Sequence, residues 1–423
     1  MEVAKNIVVL GAGFGGLKAA LTLSRHSKWL KKRGYKITLV DKNDYHTYTP
    51  TLYEIGATSK ETANYIDLKS VVTFPLKEIF SNQNVSLRQA EVESINVHTA
   101  KIVLKGGDHI KYSHLIVALG TQTNYFDIPG LETKALVLKT FQDALNLRES
   151  IFANACNATY EQAVEVVIGG AGSTGVELAA ELQEWFAQLK TEEVKCELHT
   201  TLINGDPRIL PNLDSKVIKK SEKRLKKLGV TVLNKSIIGK IKRDQVILKG
   251  GVKVRFDNLI WAGGIKTNSL IEKMKLKVDR RNGIEVKKTL EAKPMRKNQK
   301  MAGKIYAVGD AAYFKNTLTK APVPKLARPA ISQGKIAALN IIKDLKSLKL
   351  KEFETTTEYP YVIPVGGKYA ITKIGPLVVS GILGWILKGL IELNYIISIM
   401  PKKQALSTWL KGLKIFIQND RLG

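Results

Sequence analysis

Two short glycine runs and one glutamate carry the chemistry that this sequence offers. Gly11, Gly13 and Gly16 give GxGxxG within GAGFGG, and Gly170, Gly172 and Gly175 repeat that spacing within GGAGSTG. In such a loop the first glycine permits a tight turn and the second lets the backbone approach a pyrophosphate. The third lets the following helix pack close to the strand. The helix N-terminus adds free N–H groups and a positive dipole end. Asp41 closes the strand after the first loop, where a carboxylate can accept hydrogen bonds from ribose hydroxyls. The equivalent position after the second loop is Asn204. Asparagine neither accepts as an anion nor repels a 2′-phosphate, so NADH and NADPH both stay open. Glu177 follows the second loop, and a carboxylate there can relay protons. Its alternative is an exposed glutamate in the first helical turn, favoured by the dipole alone; on chemistry the two readings stand level.

These loops need strands before them and helices after them. NIVVLGAGFGGLKAALTLS (6–24) reads as strand, turn and helix, and KITLVDKN (36–43) as a second buried strand, which is a βαβ start. VEVVIGGAGSTGVELAAELQEW (164–185) restarts the pattern, and LHTTLINGDPRILP (198–211) supplies its next strand. HLIVALGTQTN (114–124) and DNLIWAGGIKTN (257–268) share a layout, while VSLRQAEVESINVHTAKIVLKGG (85–107) alternates like antiparallel strands. An internal duplication is the simplest account. GKIYAVGDAAYF (303–314) adds a strand ending Gly-Asp, and ARPAISQGKIAALNIIKDL (327–345) a helix. The expected class is α/β, with two Rossmann-like dinucleotide-binding domains and a C-terminal membrane-associating region. The first domain is expected over 1–120 and 265–345, the second over 121–264, and the tail over 346–423. Two such domains imply two dinucleotides, one held non-covalently as FAD and one exchanged as a nicotinamide. Flavin chemistry follows, with hydride in and electrons out to an acceptor.

Composition narrows the acceptor. Of 423 residues 44% are hydrophobic, enough for at least two packed domains. The balance of 66 Lys+Arg against 38 Asp+Glu leaves +28, which suits a polyanionic partner or reflects lysine-rich helix faces such as KKSEKRLKKLG (219–229). The basic stretches lack aromatic interleaving, so no nucleic acid is expected and an anionic lipid surface is favoured. Cys156 and Cys196 are the two cysteines, with no CxxC and no His/Cys cluster, so neither a metal nor a redox dithiol is expected. The chain enters an apolar strand by Ile7, and no signal peptide is read. IGPLVVSGILGWILKGLIELNYIISIM (374–400) is strongly apolar but broken by Lys388 and Glu392. KKQALSTWLKGLKIFI (402–417) puts Leu406, Trp409, Leu410, Leu413 and Ile417 on one helical face, edged by Lys403, Lys411 and Lys414. That pattern suits a helix in the headgroup plane of a peripheral, monotopic protein on the cytoplasmic face. The alternatives are a core-packing helix and one that buries a homodimer interface.

The stretches VVLGAGFGG, LVDKNDYHTYTPTLYEIG, LIVALGTQTNYFDIPG, GGAGSTGVELAAEL, DPRILP, IWAGGI, IYAVGDAA and ARPAISQG, in that order, resemble the two-dinucleotide-domain flavoprotein reductases. Within them the chain is most similar to the type II NADH:quinone oxidoreductases, the non-proton-pumping NADH dehydrogenases of respiratory chains. The resemblance implies FAD on Gly11, Ala12, Gly13, Phe14, Gly15 and Gly16, with Asp41 and Lys42 at the adenosine ribose and Thr49 and Val92 nearby. It places Asp310 on the ribityl chain and Ala327 and Arg328 before the isoalloxazine; a turn or cap aspartate is the alternative for Asp310. It implies the nicotinamide nucleotide at Gly170, Gly172, Gly175, Asn204 and Gly263, and a membrane quinone at Arg328 and Gln333. Glu177 becomes the proton relay near the flavin and both substrates. Two positions depart from the pattern. Ala327-Arg328 stands where the family has Ala-Gln, and an arginine beside the flavin would favour an anionic reduced form or an anionic acceptor. Asn204 stands where a glutamate is typical. Reductases that act on disulfides or peroxides need a cysteine that DYHTYTPTLYE lacks. Sulfide:quinone oxidoreductases need cysteines where Ser173-Thr174 stand and beyond Cys196. A soluble NAD(P)H reductase with a ferredoxin-type protein acceptor is the remaining alternative.

Overall fold

A computed structural model of the chain describes residues 5–158, 162–192, 196–296 and 299–419. Residues 1–4, on which the expectation of no signal peptide partly rests, lie outside them. The chain divides into two compact units. One comprises Met1–His46, Phe74–Gln122 and Ile265–Tyr359; the other comprises Thr47–Thr73, Thr123–Gly264 and Pro360–Gly423.

In the first unit the apolar run of Asn6–Leu10 forms the centre of a five-stranded parallel sheet. Its order is Lys304–Ala307, His114–Val117, Asn6–Leu10, Lys36–Asp41, Ser86–Gln89. Central strands are buried on both faces, which is why their side chains read as unbroken Val, Ile and Leu. The helix Phe14–Ser24 follows the glycine turn. It packs on the helix Ala327–Leu345 so closely that a methyl group on Gly334 would overlap the carbonyl of Gly15. The stretch 85–107 is only partly the antiparallel set its alternation suggests. Ser86–Gln89 joins the edge of the parallel sheet, and Val92–Asn96, Lys101–Leu104 and His109–Lys111 form a separate antiparallel meander. Alternation marks half-exposed strands, and a parallel edge strand is half-exposed too.

The second unit repeats the design. Ala163–Gly169 lies inside a parallel sheet of order Thr231–Leu233, Glu197–Ile203, Ala163–Gly169, Asn258–Trp261. The helix Ser173–Glu192 follows its glycine turn. An antiparallel meander of Ile238–Lys242, Gln245–Leu248 and Lys253–Arg255 mirrors the one in the first unit.

From Pro360 onward the tail is part of this second unit, while residues 346–359 belong to the first. Tyr361–Pro364, Ala370–Ile374 and Leu377–Gly381 form an antiparallel sheet. Ile363, Val365 and Ile371 enter the same core as Leu182, Trp185 and Val217. Arg224, a buried cation, donates to Glu184 at 2.6 Å and to the carbonyls of Val365 and Gly366, which fixes the tail by a paired charge. The helices Ile382–Ile399 and Lys402–Asn419 complete the chain. On the second of these, Ala405, Gly412, Ile415 and Phe416 face inward, while Leu406, Leu410 and Ile417 of the predicted stripe are exposed and Trp409 and Leu413 are half-buried.

Candidate functional site

Both glycine loops have the geometry their spacing predicts. Gly11 and Gly170 adopt φ of +97° and +109°, where a side chain would be strained. A methyl group on Gly16 would overlap the carbonyl oxygen of Gly11, and one on Gly175 that of Gly170. At Gly13 and Gly172 it would find nothing within 4 Å. The middle glycine of each loop is therefore the open side, where a pyrophosphate can lie against backbone N–H groups. Gly15 and Phe14 begin the first helix, and Gly13 caps it with no side-chain hydrogen bond. Gly263 packs over the second loop, and a methyl group on Gly170 would overlap its backbone.

A second correspondence was not legible in the sequence. The alanine between the first two glycines of each loop has its carbonyl held from outside. His46 Nδ1 lies 2.7 Å from Ala12 O, and Leu210 N donates to Ala171 O at 2.8 Å. His46 is buried between the rings of Phe14 and Phe74, and burial lowers its pKa to about 4. A neutral imidazole facing a carbonyl carries its proton on that nitrogen, so Nδ1–H donates.

Asp41 stands at the end of its strand, half-buried. Its Oδ2 accepts from Ala12 N at 2.6 Å and its Oδ1 from Asn43 N at 2.8 Å. Burial raises its pKa against these hydrogen bonds. Each oxygen keeps a lone pair for a ribose hydroxyl, so strand, loop and acid fit the adenosine half of a dinucleotide. Lys42 is exposed, and Val92 is a half-buried strand residue of the first unit; Thr49 is exposed and belongs to the second unit. Asp310 is half-buried and accepts from Thr121 Oγ1 at 3.4 Å. It lines a recess with Gly309, Phe314, Leu326, Ala330 and Gln333. Gln333 is buried, and its Oε1 accepts from Gly309 N at 2.7 Å, so that oxygen holds the Gly-Asp turn in place. Ala327 is half-buried and Arg328 exposed in the first turn of their helix, which has no acid there. A cation at that end opposes the helix dipole, so helix stability does not account for Arg328.

Asn204 is 3% exposed, and its side chain is committed to its own turn. Nδ2 donates to Asp206 O and Asn234 Oδ1, and Oδ1 accepts from Asp206 N.

Glu177 is neither exposed nor in the first helical turn. Its helix begins at Ser173, and the side chain is half-buried within the second unit. Burial raises its pKa to about 8, with Lys388 pulling it down and Glu54 pushing it up. Neither stands out as a site residue in the sequence: Glu54 lies within LVDKNDYHTYTPTLYEIG and Lys388 within the apolar run of the tail. Glu54, 2% exposed, accepts from Lys388 Nζ at 2.5 Å. Glu392, one turn from Lys388, is raised to about 7 by burial. Tyr48 and Tyr395 stack at 5.3 Å, with hydroxyl pKa values well above normal through burial. Among the described residues no group of three or more His, Cys, Asp or Glu could hold a metal ion. Cys156 is exposed and Cys196 buried, both as free thiols.

This arrangement matches known proteins along nearly its whole length. The family model "Pyridine nucleotide-disulphide oxidoreductase" covers residues 5–334. A type II NADH:quinone oxidoreductase of Haemophilus influenzae is 26% identical over 412 residues, covering 89% of this chain and 90% of that one. One from Staphylococcus aureus is 28% identical over 360 residues, covering 83% and 85%. Among solved structures, NDH2 of Plasmodium falciparum in complex with NADH superposes with a TM-score of 0.82 at 16% identity, covering 99% of both chains. The sulfide:quinone oxidoreductase of Aquifex aeolicus reaches 0.76 at 18%, covering 98% and 96%. The two glycine loops at the centres of two parallel sheets and the family match over 5–334 agree: the chain is an oxidoreductase of the pyridine nucleotide-disulphide oxidoreductase family.

Proposed function

We propose that the protein is a type II NADH:quinone oxidoreductase: it takes electrons from NADH through FAD to a membrane quinone and pumps no protons. The observation that carries this is the pair of equivalent glycine loops, each open at its middle glycine, in a chain whose curated relatives bear that name. FAD would be held by Gly11–Gly16, Asp41, Lys42, Val92 and Asp310, with Ala327 and Arg328 contributing, all of the first unit. The nicotinamide nucleotide would be held by Gly170, Gly172, Gly175 and Gly263, with Asn204 bracing the turn that ends the next strand. When bound, the flavin supplies a carrier that accepts a hydride and returns its electrons to the acceptor.

The chain's own residues supply the rest. Glu177, protonated at neutral pH by burial, gives a proton to the quinone oxygen as the acceptor gains electrons. Arg328 supports an acceptor with developing negative charge, since a cation at a helix N-terminus needs another reason to be there. Gln333, whose oxygen is committed to Gly309, acts by positioning the Asp310 turn.

The outward leucine stripe of Lys402–Asn419, with exposed Leu383, Ile386 and Leu390 on the preceding helix, supports docking on the cytoplasmic leaflet without crossing it. Ile382–Ile399 is long and apolar enough to span, but both of its charges are turned into the protein, as in a helix lying against its own domain.

The test is a visible spectrum of the purified protein, followed by NADH and NADPH oxidation with and without a short-chain quinone. Bound flavin with quinone-stimulated oxidation is expected. The donor ratio reports on Asn204, whose committed side chain leaves no anion to repel a 2′-phosphate. Flavin reduced by NADH that ignores quinone would sink the assignment and favour a protein acceptor.

A further inference from the structure

Lys388 and Glu392 stand one turn apart on Ile382–Ile399 and both face inward. The Lys388 side chain is 14% exposed and Glu392 is 9% exposed, whereas Leu383, Leu390 and Ile397 of the same helix are exposed. An ammonium removed from water needs a counter-charge. Glu54, from the short helix Leu52–Ile55, provides it at 2.5 Å through Oε1, while its buried Oε2 has no hydrogen-bond partner. The short helix Leu52–Ile55 packs on Ser173–Glu192, the helix that carries Glu177, so among the described residues this one ammonium faces three carboxyl groups, those of Glu54, Glu177 and Glu392, and cannot neutralise them all. Among the described residues the buried hydroxyls of Tyr48 and Tyr395 also face this cluster, and the rings of Tyr53 and Phe416 flank Lys388 at 5.7 and 5.9 Å. None of these supplies a second positive charge.

We propose that Glu54 is a positioning residue for acceptor reduction: by holding the Lys388 ammonium it governs the charge state of Glu177 and so the delivery of its proton. The inference rests on Glu177 being the proton relay. Reduction of a quinone takes two electrons and two protons. The nicotinamide hydride accounts for the electrons and one proton, and Glu177 gives the second. The Glu177 carboxylate that remains is compensated by Lys388 until water reprotonates it. Glu392, which feels the same lysine and Glu54, competes for that compensation.

The experiment uses the purified holoprotein and its Glu54→Gln, Lys388→Met and double variants. The carboxyl stretch of Glu177 in the infrared, assigned by its loss in Glu177→Gln, is titrated in each. Glu54→Gln removes the charge that raises Glu177 and releases the ammonium toward it, so the midpoint falls by about one unit or more. Lys388→Met raises it by about as much. The double variant returns near the starting value. The pH profile of reoxidation by a short-chain quinone, normalised at each pH to the rate of flavin bleaching by NADH, moves in the same directions. A Glu177 midpoint unchanged in both single variants overturns the proposal, as do shifts of the same sign in both, which mark mere loosening. Should Lys388→Met fail to fold, Glu54→Asp keeps the charge but shortens its reach, and a midpoint unmoved there is equally fatal. Wild-type protein that ignores quinone would instead remove the reading beneath, while the infrared midpoints still decide the coupling of Glu54 to Glu177.

Discussion

Replacing Glu177 by glutamine keeps the shape of the side chain and removes its titration, so its consequences can be worked through. With a midpoint of about 8, about nine in ten molecules carry the proton at pH 7 and about one in ten at pH 9. Acceptor reduction in the wild type should hold level below pH 7 and fall about tenfold per unit well above 8. In Glu177→Gln it should drop about a hundredfold or more, the usual worth of a general acid, and lose that slope. The carboxyl also leaves a mark on stability. Its pKa rises on folding from 4.5 to about 8, so its contribution is fully present below pH 4.5 and is lost as pH rises through 8. The rise is about three and a half units, at most roughly 5 kcal/mol, shared with Glu392 through their common lysine. Between pH 5 and 9 the wild-type Tm should fall by several degrees more than that of the glutamine variant, since each kcal/mol moves a domain of this size by about 2–4 °C. Stopped-flow reoxidation by a short-chain quinone and a pH series of thermal melts check both arms. Equal turnover in the variant, or parallel Tm curves, would refute the reasoning.

Three further outcomes follow from the geometry. His46→Leu leaves the buried Ala12 carbonyl without its donor, at a cost of about 1–3 kcal/mol, and should lower flavin retention on gel filtration; full retention would count against its support of the loop. Gly175→Ala drives a methyl into the Gly170 carbonyl, while Gly172→Ala meets only the open side. Gly175→Ala should therefore lower Tm, and Gly172→Ala should raise the KM for NADH with Tm unchanged; the reverse pattern would contradict the assigned roles. Leu383→Glu with Leu410→Glu places charge on the exposed apolar face and should abolish co-flotation with anionic vesicles while leaving short-chain quinone reduction intact. Flotation that survives both changes would remove the docking surface.

What the sequence by itself determined is local. The two loops were legible because their tightest contacts lie within a few residues, as Gly16 against Gly11 and Gly175 against Gly170 show. Strands such as Asn6–Leu10 and Ala163–Gly169 were legible because burial on both faces leaves only apolar residues. The mixed character of 85–107 was not, since alternation reports half-exposure and says nothing of which strand lies alongside. The support of Ala12 by His46 spans 34 positions and that of Ala171 by Leu210 answers to no spacing rule. Lys388 and Glu392 read as interruptions of an apolar run because periodicity ranks the faces of a helix without revealing what covers each. Only the tertiary structure brought Glu54, 334 positions away, onto Lys388 and turned both charges inward. The pKa of Glu177 depends on that distant lysine and glutamate and on the protein that displaces water from it. A carboxyl's charge state is therefore a property of the packed fold, while the loop it follows is a property of the chain.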